Sequence, residues 1–335
     1  MSGNGKINGH RPERLMRSLG ADSESLGVAE LPNYAEASAA AVTSLRSHVP
    51  PDAHTAPYLG TQREGHALVI DEDGLVLTIG YLLLECSEIE IMDPDGDWVE
   101  AEFVGYDSEI GFGLARATRP LDIAPAERGS AHNLAVGTPV IVAGRGGADQ
   151  SIEAKVVSRR PFDGYWEYHL DEAIFTTPAH PNWGGAALIG PDGRVAAIGS
   201  LLVEDAVMDN QPSQGNMFVP IELLEPVYAD LIVHGRVRRP PRPWLGMFTA
   251  ETQGVLVVTH VTTGGPAAQA GIEPGDVVLR VNEEPVAGLA DLYQCIWQLG
   301  EAGVGVPLTL VRSGAGVEMV VHSGNRSDFF RTPRV

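Results

Sequence analysis

The chain has 335 residues, of which 44% are apolar, and a formal net charge of -21. This length is enough for two domains with their own cores, whereas the strongly negative charge argues against binding to nucleic acid or to an anionic membrane surface. The cysteines, Cys86 and Cys295, lie far apart in the sequence, without the spacing of a metal site or of a disulfide framework.

The first 33 residues are polar and are predicted to form a disordered N-terminal segment. They contain no apolar run of the kind that marks a secretory signal, and no later stretch is long enough to cross a membrane as a helix. The sequence therefore predicts a cytoplasmic protein. Residues 34–45 are rich in alanine and are predicted to be helical.

Short apolar runs separated by turn residues follow from Ala67 to about Ile232. The runs at 67–70 and 75–78 flank a turn that ends in Gly74, and this pattern predicts a β-hairpin. Many short strands at near-regular spacing are typical of an all-β barrel or sandwich. Further runs lie at residues 89–92, 98–104, 139–144 and 154–158. A helix after Pro220 is predicted to bury Leu223, Val227 and Leu231.

The segment Pro178–Leu188 contains two adjacent glycines before an apolar strand, which favours a loop that presents a side chain and backbone N–H groups. With its flanks it resembles the nucleophile loop of the HtrA family of trypsin-like serine proteases, which reads D-A-A-I, G-N-S-G-G-P-L and D-G-x-V-I-G. The resemblance implies a domain of two six-stranded β-barrels over residues 34–235. It also places Trp183 where the family has its nucleophilic serine.

The same resemblance places Tyr81 at the position of the general-base histidine and Gly111 at that of the orienting aspartate. A serine nucleophile needs a hydrogen-bonded histidine, which in turn needs a carboxylate to orient it. We therefore expect no catalytic residues and an inactive protease-like domain. His132, His169 and His180 lack the spacing of a metal site, so neither a metal nor a cofactor is expected.

A basic, proline-rich stretch at residues 236–243 is predicted to be a stiff linker. Residues 244–323 then resemble a PDZ domain of the HtrA type, since Gly264–Asn282 reads G-G-P-A-A-Q-A-G-I-E-P-G-D-V-V-L-R-V-N. A PDZ domain adds the ligand as a strand to its sheet and holds the ligand's terminal carboxylate with backbone N–H groups. By resemblance, that loop consists of Trp244, Leu245, Gly246 and Met247.

Residues 324–335 form a C-terminal tail that ends in Val335, a side chain that such a pocket accepts. This suggests the tail as an internal ligand. Pro333 argues against it, because proline has no N–H to donate to a neighbouring strand.

The sequence thus predicts a mostly β protein with a trypsin-like double barrel followed by an α+β PDZ domain. Its expected function is to bind peptides or protein C-termini as an adaptor or regulatory subunit. The resemblance implies an active HtrA-type protease as a partner and a trimeric assembly. Two alternatives remain open: an active serine endopeptidase of protein quality control with a non-standard site, and a structural scaffold with an occluded PDZ groove.

Overall fold

The computed structural model describes residues 30–207 and 213–333. Nearly all of the predicted disordered segment 1–33, and the last two residues of the tail, lie outside the described residues. The described chain forms two compact units. The first holds residues 30–160, 172–207, 213–238 and 332–333, and the second holds residues 161–171 and 239–331.

The first unit begins with a closed six-stranded antiparallel barrel in the order β1-β2-β3-β6-β5-β4. The predicted hairpin around Gly74 is present, and Leu68 pairs with Leu77 across it. Every side chain of the strand that follows Gly74 is buried. The strands are β1 (Val42–His48), β2 (Gln62–Val69), β3 (Leu75–Ile79), β4 (Glu88–Met92), β5 (Trp98–Tyr106) and β6 (Phe112–Ala117).

The predicted helix over residues 34–45 is wrong at its C-terminal end. Helix α1 covers only Glu36–Ala40, and β1 begins at Val42. Residues 42–48 pair along their whole length with β2. The β-branched residues Val42 and Thr43 fit a pleated strand better than a helix, and the long-range pairing overrides the local alanine content. A short helix, α2 (Ala56–Leu59), lies between β1 and β2.

A second closed six-stranded barrel follows, in the order β10-β11-β12-β9-β8-β7. Its core contains Val142, Val156, Ile174, Leu188 and Phe218. The prediction of a double six-stranded barrel is therefore confirmed. The strands are β7 (Pro139–Ala143), β8 (Ser151–Gly164), β9 (Tyr168–Thr177), β10 (Ala187–Ile189), β11 (Val195–Val203) and β12 (Gly215–Pro220).

Helix α3 (Glu225–His234) closes this unit. Its proline lies in the first turn, where the missing N–H has no intrahelical partner to lose. The helix ends at Gly235, which adopts a φ of 69°. Val227 and Leu231 are buried as predicted. Leu223 is only partly buried, because a 3₁₀ turn precedes the helix and turns Leu224 into the core instead.

The second unit contains an antiparallel sheet in the order β13-β14-β15-β17-β18, with β16 paired to β15. Strand β13 lies at the edge of this sheet, and helix α5 packs against it. The core contains Leu245, Val258, Leu292 and Ile296. The elements are β13 (Met247–Thr252), β14 (Val255–Val261), α4 (Pro266–Ala270), β15 (Val277–Val281), β16 (Glu284–Pro285), α5 (Leu289–Trp297), β17 (Gly305–Arg312), β18 (Ala315–His322) and α6 (Arg326–Phe329). This is the predicted α+β PDZ arrangement.

Across the described ranges, we find no helix with the length and apolar character needed to traverse a bilayer.

Candidate functional site

The loop that carries Trp183 is bonded through its two glycines to strands β2 and β11. The N–H of His66 donates to the carbonyl of Gly184 at 2.7 Å, and the N–H of Gly185 donates to the carbonyl of Gly199 at 2.9 Å. Gly185 has a φ of 78°, and a Cβ at this position would lie 1.8 Å from the carbonyl oxygen of His66. Only glycine meets both conditions, so the sequence Gly184-Gly185 fixes where Trp183 is placed.

Trp183 and Tyr81 contact each other. Tyr81 lies in a 3₁₀ turn that follows β3, and its hydroxyl donates to the carbonyl of Ser200 at 3.0 Å. The side chain of Trp183 is hydrogen-bonded to the same hydroxyl and is only 4% exposed. Burial raises the pKa of Tyr81 above its ordinary value, while the Trp183 contact opposes the shift. The phenol therefore stays protonated at neutral pH.

Gly111, the third predicted position, lies beside the same turn. Its carbonyl accepts the N–H of Gly80 at 2.7 Å, and its own N–H donates to the carbonyl of Asp107 at 2.8 Å. The nearby carboxylate of Asp107 accepts the N–H of Glu109 at 2.9 Å. The three predicted positions thus lie around one turn. Their side chains are the phenol of Tyr81, the hydrogen atom of Gly111 and the indole of Trp183.

Two buried histidines lie close to the Trp183 loop, with ring centroids 6.3 Å apart. The Nε2 of His180 is bonded to the carbonyl of Gln150 at 3.1 Å, and its Nδ1 accepts the N–H of Asn182 at 3.1 Å. The Nδ1 of His66 accepts the N–H of Arg145 at 3.2 Å. Burial lowers the pKa of His66 to about 3 and also lowers the pKa of His180. Both rings are neutral at neutral pH, and each accepts a backbone N–H through its Nδ1.

Pro181 is a feature of the loop that the sequence analysis missed. A trypsin-like oxyanion hole uses the N–H of the nucleophile and the N–H two residues before it. Two residues before Trp183 stands Pro181, which has no N–H. The next residue, Asn182, directs its N–H to His180. The spacing to Trp183 was the signal that would have identified this position.

The predicted carboxylate-binding loop of the second unit holds a carboxylate from the chain itself. The N–H of Leu245 donates to Oε2 of Glu167 at 2.9 Å, and the N–H of Met247 donates to Oε1 at 2.9 Å. Between them, Gly246 adopts a φ of 73° and its N–H is also directed to this carboxylate. Burial raises the pKa of Glu167, and the Leu245 and Met247 N–H groups oppose that rise. Glu167 was not predicted from the sequence, because it lies 78 residues before the loop that it contacts.

Trp244, the first residue of the predicted loop, contacts the C-terminal tail. It pairs with Gly324 through two backbone hydrogen bonds of 3.0 and 2.9 Å. The rings of Phe329 and Phe330 lie 4.9 and 5.8 Å from the Trp244 ring. Trp244 therefore anchors the described part of the tail. The predicted insertion of Val335 concerns a residue outside the described ones.

Comparison with known proteins finds two matching family models, each over part of the chain. Residues 65–198 match the trypsin-like peptidase domain family, and residues 243–322 match the PDZ domain family. A probable periplasmic serine endoprotease DegP-like from Pseudomonas fulva is 28% identical over 288 residues, covering 79% of this chain and 57% of its own length. The serine endoprotease DegS from Haemophilus influenzae is 25% identical over 236 residues, covering 69% and 68%. The chain spans less than two thirds of the DegP-like relatives.

Solved structures share the fold. The HtrA-type protease AlgW with a decapeptide aligns with a TM-score of 0.51 at 20% identity, over 90% of this chain and 100% of its own. The serine endoprotease from Yersinia pestis aligns with a TM-score of 0.50 at 21% identity, over 88% of this chain and 99% of its own.

These relatives correct one prediction. The cytoplasmic location expected from the sequence is wrong, because the DegP-like relatives are periplasmic proteins by name. The prediction depended on the absence of an apolar run near the start of the chain, and the similarity to the relatives overturns it.

Proposed function

We propose that this chain, an HtrA-type trypsin-like protein with a C-terminal PDZ domain, binds peptides or protein C-termini without cleaving them. The observation that carries this proposal is the loop Leu245–Met247, whose N–H groups hold a carboxylate at 2.9 Å. PDZ recognition requires such a set of N–H donors beside an edge strand, here β13.

The site around Trp183 supports the absence of cleavage. Loss of a serine-protease triad lowers turnover by roughly a million-fold, and what remains depends on the oxyanion hole and on substrate binding. Pro181 removes one N–H donor from that hole. The buried indole of Trp183 fills the space beside Tyr81, where a nucleophile would meet its base.

The first prediction is that the protein neither degrades unfolded casein nor reacts with a fluorophosphonate probe. Both reactions need an activated serine hydroxyl, and positions 81, 111 and 183 provide none. Casein cleavage followed by gel electrophoresis and in-gel fluorescence of the probe measure the two reactions. An active HtrA-type protease serves as the positive control.

A variant in which the three triad residues are restored is the matched comparison for the natural sequence. Tyr81→His, Gly111→Asp and Trp183→Ser together should restore at most weak labelling, since the loop still carries Pro181. Adding Pro181→Gly should increase that labelling. Stoichiometric labelling of any serine in the natural sequence would contradict the proposal.

The second prediction is that the protein binds a peptide with a free, apolar C-terminal residue better than the same peptide with an amidated terminus. The N–H groups of residues 245–247 stabilise a negative charge, which amidation removes. Affinity for the free peptide should be on the order of micromolar, because a short peptide loses chain entropy on docking. Fluorescence anisotropy titrations measure both affinities, and equal values would rule out this use of the groove.

The second candidate function is an active serine endopeptidase of protein quality control. It is favoured by the relatives, which are serine endoproteases by name. The fluorophosphonate experiment separates the two functions.

For the binding function, we further propose a periplasmic location, and an active HtrA-type protease as a partner in a trimeric or mixed assembly. The third interpretation, a scaffold with an occluded PDZ groove, is separated from peptide binding by the titrations.

A further inference from the structure

The segment 161–171, hereafter the hairpin end, lies within the second compact unit together with residues 239–331. It joins β8 to β9 and contains the sequence Gly164-Tyr165-Trp166-Glu167. Glu167 adopts a φ of 57° and is 8% exposed. A buried carboxylate at the tip of a hairpin requires strong compensation, and its partners are the N–H groups of Leu245 and Met247.

The hairpin end also makes a main-chain contact with the edge strand. The N–H of Thr249 on β13 donates to the carbonyl of Tyr165 at 2.9 Å. The ring of Tyr165 lies 6.0 Å from that of Phe248, on the same strand. A ligand that adds to a PDZ sheet forms main-chain bonds with this edge. The hairpin end therefore takes up a backbone donor that an incoming peptide needs.

Helix α5 contacts the hairpin end from the other side of the groove. The hydroxyl of Tyr293 donates to the carbonyl of Gly164 at 2.6 Å and accepts the N–H of Glu167 at 3.3 Å. Trp297, one turn further along the helix, lies 6.2 Å from the ring of His169. Tyr293 is 1% exposed. The hairpin end thus lies between β13 and α5, where a PDZ ligand binds.

We propose that the hairpin end is an internal ligand of the PDZ groove, with the Glu167 carboxylate in the place of a ligand's terminal carboxylate. A peptide with a free C-terminus then binds only when this segment leaves the groove. The inference rests on the proposed peptide-binding function and adds its regulation. The apparent affinity for a peptide is lowered by the fraction of molecules whose groove is occupied.

The experiment compares the full chain with Glu167→Gln and Tyr293→Phe. The first variant removes the charge that the N–H groups hold, and the second removes the hydroxyl that bonds to Gly164 and Glu167. Glu153→Gln, an exposed carboxylate on β8, is the matched control for the change in charge. The probe is a fluorescein-labelled peptide that ends in a free C-terminal valine. We expect Glu167→Gln to tighten its binding by about tenfold or more, and Tyr293→Phe to act in the same direction.

A second measurement does not depend on any peptide. Amide hydrogen exchange over residues 244–252, followed by mass spectrometry, reports whether the loop and β13 are covered. Exchange should be faster in Glu167→Gln and Tyr293→Phe than in the natural sequence, and unchanged in Glu153→Gln. Faster exchange without peptide binding by any variant would support the internal ligand and defeat the proposed function. Unchanged exchange in both test variants, or measurable peptide binding of equal affinity in the natural chain and in both variants, would overturn the inference.

Discussion

Replacing Arg63 with methionine should lower the free energy of unfolding of the first unit by about 3–5 kcal/mol, because it removes a fully buried guanidinium from a network of hydrogen bonds. Arg63 lies on β2 and is fully buried. Its Nη2 donates to the hydroxyl of Thr55 at 2.7 Å, and that hydroxyl donates to the carboxylate of Glu85 at 2.7 Å. The loss would remove the donor to the Thr55 hydroxyl and the positive charge near Glu85.

Arg63 also supports the turn that carries Tyr81. Its Nη1 donates to the carbonyls of Tyr81 and Leu84, each at 2.8 Å. Burial lowers the pKa of Arg63 to about 10, so the guanidinium remains charged at neutral pH. Without it, the buried carbonyl of Leu84 and the partly buried carbonyl of Tyr81 lose a donor, which adds to the expected loss of stability.

Urea unfolding followed by far-UV circular dichroism measures the effect. Arg46→Met is the matched control: Arg46 pairs with Glu90 at 2.5 Å on the same barrel, but both side chains are more than 30% exposed. The free energy of unfolding should fall by no more than about 1 kcal/mol in this control variant. The double variant Arg63→Met/Glu85→Gln should be less destabilised than the sum of its single changes, because it removes both charges. Equal losses in Arg63→Met and Arg46→Met would contradict this account.

Local sequence signals predicted much of the barrel architecture. Gly74 adopts a φ of 79° in the turn where the sequence places it. The strands that flank it follow from short apolar runs bounded by turn residues, and the second of them is buried on both faces. The segment 42–48 was missed as a strand, since its pairing with residues 62–68 is non-local and is not encoded in its composition.

Contacts between residues that are far apart in the sequence could not be predicted from local sequence signals. Glu167 bonds to Leu245, 78 residues further along the chain, and His66 bonds to Arg145, 79 residues away. A local window contains only one partner of each pair, so the sequence shows an ordinary acid and an ordinary histidine. The positions of Tyr81, Gly111 and Trp183 came instead from recognisable flanking motifs, and the structure places these three residues together.

Replacing Gly185 with alanine should lower the stability of the first unit by more than about 4 kcal/mol, a loss that few single substitutions reach. Two effects add. A φ of 78° is unfavourable for any residue with a Cβ, by about 1–2 kcal/mol. The new Cβ would also lie 1.8 Å from the carbonyl oxygen of His66 and 2.8 Å from Oγ1 of Thr78.

The second effect is the larger one because the obstructing atom is backbone that cannot move freely. The carbonyl of His66 accepts the hydroxyl of Thr78 at 2.7 Å, and His66 lies in β2, which is paired with β1. Relief of this clash therefore requires the Trp183 loop to move away, which exposes the indole.

Gly137→Ala isolates the backbone effect of a positive φ. Gly137 has a φ of 94° in the same unit, and a Cβ added there would meet no heavy atom within 4 Å. Urea midpoints, with tryptophan fluorescence as a second probe, compare the two variants. Similar midpoints would show that the loop tolerates the added methyl group and that Gly185 does not fix the position of Trp183.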